Sequence, residues 1–225
     1  MFLEKLNNEL DKFHLLKHPY YKDWNEGKLT IEDLQTYAGQ YFHHVDAFPR
    51  YLSAIHTQCE DLPSRQVLLG NLVDEEQGDE NHPELWMQFA EELGCNRDEV
   101  RNAELLSKTK ALVEGFFALC HKSYATGLGA LYTYERQVPD VAKSKIDGLK
   151  KFYDMGSEKA LKFFKVHIGA DEWHSQEVAD LMLKLDAKGK EEAAAGSIAA
   201  AKLLWDFLNG IQDYRAVNSL SAVVN

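Results

Sequence analysis

Apolar residues recur with helical spacing along nearly the whole chain, and this pattern limits the fold more than any other feature. In the first segment, Phe2, Leu3, Leu6, Leu10 and Phe13 lie on one face of a helix with about 3.6 residues per turn. No segment shows the alternation of apolar and polar residues that is typical of strands. The sequence therefore predicts an all-α bundle of seven to nine helices.

Prolines and capping residues divide this pattern into separate helices. Helix starts are predicted at Thr30, Pro63, Pro83, Pro139 and Ser157. The segment 100–136 is helical throughout, and we expect Gly127 and Gly129 to bend or break it. The last helix is predicted over 189–213. No repeat or long linker is present, so we expect one domain over 1–215 and a C-terminal tail over 216–225.

Composition and charge exclude several classes of function. The net charge of -11 argues against a nucleic-acid partner and against an anionic membrane surface, which both attract basic proteins. No run of about 18 apolar residues and no signal peptide are present. The three cysteines are widely spaced and form no metal-binding or disulfide pattern. These features predict a cytoplasmic protein with reduced thiols.

The segment "HIGADEWH" carries two imidazoles and a carboxylate on one narrow helical stripe. His167, Asp171 and His174 stand at i, i+4 and i+7, so that Asp171 and His174 lie about 40° and 20° from His167 around the helix axis. Such residues suit iron, manganese or zinc if the stripe faces the core. The alternative is a polar, exposed helix face with incidental histidines. Gly169, within this segment, is expected to let a neighbouring backbone or ligand approach closely.

Two further segments contribute candidate ligands. In "NLVDEEQGDENHPELW", Glu75 is expected near the end of one helix and His82 near the start of the next. Nearby acids compete with this assignment: Glu76, Asp79 and Glu80. In "ALYTYERQVP", Glu135 follows an apolar stretch, where it is either a buried ligand or the partner of Arg136 or a lysine.

Together the three segments offer three carboxylates and three imidazoles. The candidate ligands are Glu75, His82, Glu135, His167, Asp171 and His174. Inward-facing ligands from several helices are how helical bundles build metal sites. Two adjacent metal ions bridged by a carboxylate would use six such ligands and keep open positions for dioxygen. Tyrosines that are candidates for lining a nearby cavity are Tyr21, Tyr37, Tyr41, Tyr132 and Tyr134.

These segments resemble one known family. "EEQG....HPELW", "LYTYERQVP" and the H...D..H of "HIGADEWH" are similar to the heme-oxygenase-like dimetal oxidases, and within them to the CADD-type proteins (chlamydial protein associating with death domains, and bacterial relatives). "HPYYKDWNEGKLT" and "AFPRYLSAIHTQCEDL" strengthen the resemblance, which covers residues 10 to 185.

The resemblance implies a fold, a cofactor and an activity. The fold would be a seven-helix heme-oxygenase-like bundle of the TenA type, usually a homodimer. The cofactor would be two metal ions, Fe/Fe or Mn/Fe, with dioxygen as oxidant and an external reductant. The activity would be the formation of para-aminobenzoate (4-aminobenzoate) for folate biosynthesis, in which the protein sacrifices one of its own tyrosines.

The same resemblance assigns roles to three further residues. Tyr21 would supply the aromatic ring, with Tyr20 as the competing choice. Lys145 would donate the amino nitrogen, with Lys143 as the competing choice. Tyr134, directly before the candidate ligand Glu135, would relay an electron or radical near the metals.

Two other functions stay open at this point. One is a dimetal oxidase of the same fold that turns over an external small molecule, such as a fatty acid or amino acid. The other is a helical binding protein without chemistry, in which the acids are merely solvated.

Overall fold

The computed structural model describes residues 1–224, apart from the side chains of residues 170, 172 and 219–224. Within these residues the chain forms α-helices and two short 3-10 turns, with no strand. The helices are α1 Phe2–Leu10, α2 Pro19–Asn25, α3 Ile31–Gln58, α4 Leu62–Glu76, α5 His82–Glu92, α6 Arg97–Arg101, α7 Ser107–Lys122, α8 Tyr124–Glu135, α9 Val138–Phe152, α10 Glu158–Lys184 and α11 Ala187–Val224. The all-α prediction is confirmed, and the helix count exceeds it because α1, α2 and α6 are short.

Capping residues begin the helices where the sequence predicts. Thr30 starts α3 with a complete capping box, in which its Oγ1 accepts from the Asp33 backbone N–H at 3.1 Å and Asp33 Oδ2 accepts from the Thr30 N–H at 2.9 Å. Ser157 starts α10 by accepting from the backbone N–H of Ala160 at 3.0 Å. These caps satisfy N–H groups that a helix leaves without partners in its first turn.

The segment 100–136 is interrupted, but not at its glycines. The break between α7 and α8 lies at Ser123, whose hydroxyl accepts from the backbone N–H of Thr126 at 3.1 Å. The prediction that Gly127 and Gly129 interrupt the helix is therefore wrong. A Cβ at Gly129 would lie 2.0 Å from the backbone oxygen of Ala193, so this glycine lets α11 pack closely against α8.

The last helix is longer than predicted. α11 runs from Ala187 to Val224 rather than over 189–213, so the segment expected as a tail continues the helix as far as the structure describes it. Residue 225 lies outside the described residues. The division into a domain over 1–215 and a tail over 216–225 stays a prediction.

Helix α10 packs against several helices that carry candidate functional residues. It contacts α5, α8 and α9, and more weakly α11 and α4. Four of these neighbours, α4, α5, α8 and α9, carry Glu75, His82, Glu135 and Lys145, so the packing of α10 brings together residues that are far apart in sequence. Over the described part of the chain, no helix has the length and apolar character needed to cross a membrane.

Candidate metal centre

Three of the six candidate ligands form a tight, buried group. One donor atom from each of Glu75, His82 and His167 lies within 4.8 Å of the others. Glu75 Oε2 and His82 Nδ1 are joined by a hydrogen bond of 2.6 Å, and the His82 and His167 ring centroids are 4.2 Å apart. The three residues come from the end of α4, the start of α5 and the middle of α10.

The turn between α4 and α5 positions two of these residues. Gly78 adopts a left-handed backbone conformation with φ of 88°, which glycine allows without steric cost. Asn81 then caps α5 by accepting from the backbone N–H of Glu84 at 3.0 Å, so His82 becomes the first residue of that helix. The competing acids Glu76, Asp79 and Glu80 are exposed to solvent and lie outside the group.

Glu135, the last residue of α8, is fully buried. The side-chain amide of Asn71 donates to its Oε1 at 2.6 Å, whereas its Oε2 has no hydrogen-bond partner in the described structure. Burial raises the pKa of Glu135 to about 8, and the nearby carboxylate of Glu75 adds to the shift. The expected alternative, an ion pair with Arg136, is wrong because Arg136 pairs with Asp11 at 2.8 Å.

The stripe of α10 faces the core. His167, Asp171 and His174 are 2, 2 and 5% exposed, so the interpretation of this segment as an exposed polar face is wrong. His167 Nδ1 donates to the backbone oxygen of Phe163 at 2.6 Å. Because a carbonyl only accepts, the proton sits on Nδ1, which leaves the Nε2 lone pair of His167 available to a metal.

Gly169 does not have the role expected of it. The residue is exposed, and a Cβ added to it would meet nothing within 4 Å. No neighbouring backbone of the described residues approaches this glycine, so that part of the prediction is wrong, whereas the approach of a ligand to Gly169 stays a prediction.

Among the described residues, no lysine or arginine forms an ion pair with Glu75, Glu135 or Asp171. Burial raises the pKa of Asp171 well above its usual range, and the carboxylates of Glu135 and Glu75 raise it further. Burial and the neighbouring His82 hold the pKa of His167 well below its usual range. Asp171 Oδ2 and both ring nitrogens of His174 have no aligned hydrogen-bond partner. A donor set of this kind fits a divalent metal ion such as iron, manganese or zinc, because bound cations would compensate the carboxylates and occupy the unpartnered atoms.

Beside these donors lies a chain of hydroxyl groups that ends at a buried lysine. Lys145 is 4% exposed, and its Nζ donates to Tyr37 Oη at 2.8 Å. Tyr37 Oη is in turn 2.9 Å from Tyr21 Oη. The Lys145 Nζ lies 5.6 Å from the centroid of the Tyr21 ring. Burial lowers the pKa of Lys145 to about 7, so much of the amine is neutral near pH 7.

The competing tyrosine and lysine are placed differently. Lys143 is exposed, on the opposite side of α9 from Lys145. Tyr20 is buried, but its hydroxyl has no hydrogen-bond partner in the described structure. Tyr21 and Lys145 are therefore the pair that the fold brings into one network.

A small cavity joins this network to the metal-ligand candidates. Its wall includes Tyr21, Tyr41, Tyr134, Lys145 and His167, and its volume is about 20 Å³. Tyr41 Oη donates to Tyr134 Oη at 2.9 Å. The cavity has room for roughly one water-sized molecule. Of the tyrosines expected to line a cavity, Tyr37 and Tyr132 are not part of this wall. Tyr37 is hydrogen-bonded to the wall residues Tyr21 and Lys145, whereas Tyr132 donates to Asn7.

Several residues of this region were not predicted. Asn71, which holds Glu135, carries no local signal, because an asparagine in a helix is ordinarily a surface residue. His44 is fully buried with both ring nitrogens unpartnered, 5.1 Å from the Tyr134 ring, and burial lowers its pKa to about 3. The sequence does not predict this burial, because His43 and His44 are adjacent and show no helical spacing that would distinguish them from surface histidines.

Residues 35–206 match the model of a family described as iron-containing redox enzymes, of the heme-oxygenase-like type. The chain belongs to this family. It is 41% identical to the 4-aminobenzoate synthase of Chlamydia pneumoniae, over 92% of this chain and 93% of that protein. It is 42% identical to the 4-aminobenzoate synthase of Nitrosomonas europaea, over 96% of this chain and 93% of that protein.

The fold has solved counterparts as well. A TenA homologue from Pseudomonas syringae superposes with a TM-score of 0.80 at 16% identity, over 95% of this chain and 93% of that one. This likeness establishes the heme-oxygenase-like fold. The resemblance noted in the sequence to this fold and to its CADD-type members is confirmed.

Proposed function

We propose that the chain forms 4-aminobenzoate from its own Tyr21, with Lys145 as the amino donor. The observation that carries this proposal is the small cavity whose wall holds Tyr21, Lys145, Tyr134 and the candidate ligand His167 together. The relatives named 4-aminobenzoate synthase support the product, since each matches nearly the whole chain. In this reaction the side chains of Tyr21 and Lys145 are consumed.

The atoms of the product account for the choice of residues. 4-Aminobenzoate has a carboxyl carbon and an amine at opposite positions of one ring. In tyrosine, Cβ and Oη occupy those positions. Cβ becomes the carboxyl carbon when its bond to Cα breaks, with dioxygen as the oxidant. Lys145 Nζ replaces Oη when its bond to Cε breaks, and Oη leaves as water. The amine must therefore reach the phenolic end of the ring, and the Tyr37 hydroxyl links Lys145 Nζ to Tyr21 Oη at that end.

The protein prepares the amine and the phenol by burial. Burial lowers the pKa of Lys145 to about 7, so about half of the amine is neutral near pH 7 and has a free lone pair on its nitrogen. Burial also raises the pKa of Tyr21, which keeps its hydroxyl protonated until the ring is oxidised. Tyr134 shares the cavity wall with this pair and with His167 and accepts a hydrogen bond from Tyr41, which supports a role in carrying an electron from the ring to the centre.

We assign the metal ligands to the three carboxylates and three imidazoles described above. Glu75, His82 and His167 form the compact part of this set. When bound, two metal ions (Fe/Fe or Mn/Fe) supply the activation of dioxygen, with electrons from an external reductant. His167 is oriented for this role by its bond to the Phe163 carbonyl, and Glu135 by Asn71.

The cavity favours an internal substrate over an external one. A volume of about 20 Å³ admits dioxygen or water but not a fatty acid or an amino acid. A larger cleft of about 700 Å³ lies between α3 and the segment from α5 to α7, and its wall includes none of the six candidate ligands. The homodimer and the cytoplasmic location expected from the sequence stay predictions.

Growth of a bacterium that lacks its own 4-aminobenzoate genes tests the proposal. Wild type should restore growth without supplement, whereas Tyr21→Phe and Lys145→Arg should not. The matched controls are Tyr20→Phe and Lys143→Arg, which should rescue, and metal content should be equal in all four variants. Failure of the wild type would refute the biosynthetic role. Full rescue by Tyr21→Phe would refute Tyr21 as the ring donor.

A further inference from the structure

An open groove lies on the outer side of His174, between α4 and α10. Its volume is about 390 Å³, and its wall includes Asp74, Trp173, His174 and Glu177. Trp173 is 66% exposed, whereas the side chain of His174 is only 6% exposed. The groove therefore lets solvent reach one edge of the His174 ring, although the rest of this ring is buried with the other candidate ligands.

Two carboxylates face the two ring nitrogens of His174. Asp74 Oδ2 is 3.1 Å from Nε2, and Glu177 Oε2 is 3.6 Å from Nδ1. Neither contact is aligned as a hydrogen bond, so both nitrogens of this buried ring stay unpartnered. No lysine or arginine of the described residues lies within ion-pair distance of Asp74 or Glu177. The arrangement concentrates negative charge with no cation of the protein to balance it.

The two carboxylates lie between solvent and the buried donors. The Asp74 side chain is 59% exposed and that of Glu177 is 28% exposed. Glu177 is also close enough to Glu135 for its charge to act on that buried carboxyl. Asp74 and Glu177 therefore lie at the boundary between the groove and the buried donors, each beside one ring nitrogen of His174.

This chemistry suits a hydrated divalent cation. Carboxylate oxygens and one imidazole are ligands that Fe²⁺ and Mn²⁺ accept while they retain some of their water. Buried ligands, in contrast, bind only an ion that has lost most of its water. Partly exposed carboxylates can replace water molecules in steps, and a negative groove attracts the cation from solution.

We propose that Asp74, Glu177 and the outer edge of His174 form a loading site, which captures a divalent metal ion from solvent and delivers it to the buried donors. The loading site rests on the dimetal centre proposed above. Asp74 and Glu177 affect the rate at which metal ions enter the centre. The six buried candidate ligands determine how many ions the centre holds at equilibrium.

Metal uptake by the apoprotein tests this site without any measurement of turnover. Apoprotein is mixed anaerobically with Fe²⁺, and the reaction is stopped at timed intervals with a ferrous chelator that removes unbound iron. In the double variant Asp74→Asn/Glu177→Gln, uptake should slow at least tenfold, with the same two ions bound per chain at the end. Because Asp74 is largely exposed, Asp74→Asn alone serves as a second variant that leaves the core unchanged.

The matched control removes the same charge from the same two helices. Glu76→Gln/Asp180→Asn changes two exposed acids of α4 and α10 outside the groove, and its uptake rate should stay within twofold of wild type. Equal slowing in both double variants would overturn the loading site in favour of general charge attraction.

The remaining outcomes separate the two proposals. Unchanged rate and stoichiometry in Asp74→Asn/Glu177→Gln would overturn the loading site and leave the dimetal centre intact. A loss of bound iron at equilibrium would overturn it as well, because the two residues would then be ligands of the centre itself. If wild type takes up no iron, the dimetal centre fails and the loading site fails with it.

Discussion

At the scale of single residues, Lys145 has the most unusual environment in the region. Its Nζ is enclosed by aromatic rings, with the centroids of Tyr37, Tyr41 and Phe164 at 4.9, 5.1 and 5.3 Å. Its one hydrogen bond goes to a neutral hydroxyl, and burial outweighs the attraction of the rings, so the pKa falls to about 7. Burial of this amine costs folding free energy and leaves it partly neutral, so Lys145 is better suited to a reaction than to stabilising the fold.

The lowered pKa of Lys145 predicts how stability changes with pH. Between about pH 7 and 10 the unfolded chain carries a proton on this amine that the folded chain does not, so the free energy of unfolding rises with pH. The difference between wild type and Lys145→Met should rise by up to about 1.4 kcal/mol per pH unit in this window. Chemical denaturation of both proteins from pH 6 to 10 measures it. Parallel curves would show that Lys145 keeps an ordinary pKa.

Residue types and spacing predicted the candidate ligands, but not the residues that hold functional side chains in position by hydrogen bonds. The stripe of His167, Asp171 and His174 follows from helix geometry alone, and its burial is confirmed. Asn71 and Tyr37 were not assigned their supporting roles, because these depend on how α4 meets α8 and how α3 meets α9. Tertiary packing of this kind leaves no local pattern in the sequence.

At the scale of helices, the crossing of α8 and α11 depends on two glycines. A Cβ at Gly129 would lie 2.0 Å from the Ala193 backbone oxygen, and a Cβ at Gly196 would lie 2.3 Å from that of Thr126. From the sequence we expected Gly127 and Gly129 to bend or break the helix, because glycine lowers helix propensity. Packing outweighs helix propensity here, because the absence of side chains at Gly129 and Gly196 lets α8 and α11 approach each other closely.

Substitution of these glycines should separate packing from propensity. Gly129→Ala improves helix propensity but forces a methyl group into a backbone oxygen, so we expect the free energy of unfolding to fall by about 1–3 kcal/mol. The control is Gly169→Ala, also inside a helix but in open space, which should be neutral or stabilise by up to about 1 kcal/mol. Thermal and urea unfolding measure both. A stabilised Gly129→Ala protein would contradict the close crossing.

At the scale of the whole molecule, the proposed function requires the fold both to enclose the site and to supply the reacting side chains. Helical periodicity predicted an all-α bundle, and the resemblance of the motifs implied the heme-oxygenase-like fold. Both predictions are confirmed. The last helix was underestimated, since α11 continues to Val224 through a segment with no strong apolar stripe. The placement of Tyr21 and Lys145 beside the donors arises only when α2, α9 and α10 pack together, and the residues were chosen in advance by family resemblance alone.

The central claim is that the protein supplies the atoms of its product. Protein labelled with ring-¹³C tyrosine and side-chain-¹⁵N lysine is loaded with iron and manganese, exposed to dioxygen and a reductant, and examined by mass spectrometry of product and peptides. We predict 4-aminobenzoate that carries both labels, at no more than one molecule per chain, with the peptide loss confined to Tyr21 and Lys145. Unlabelled product, or many product molecules from a chain whose mass is unchanged, would contradict the account.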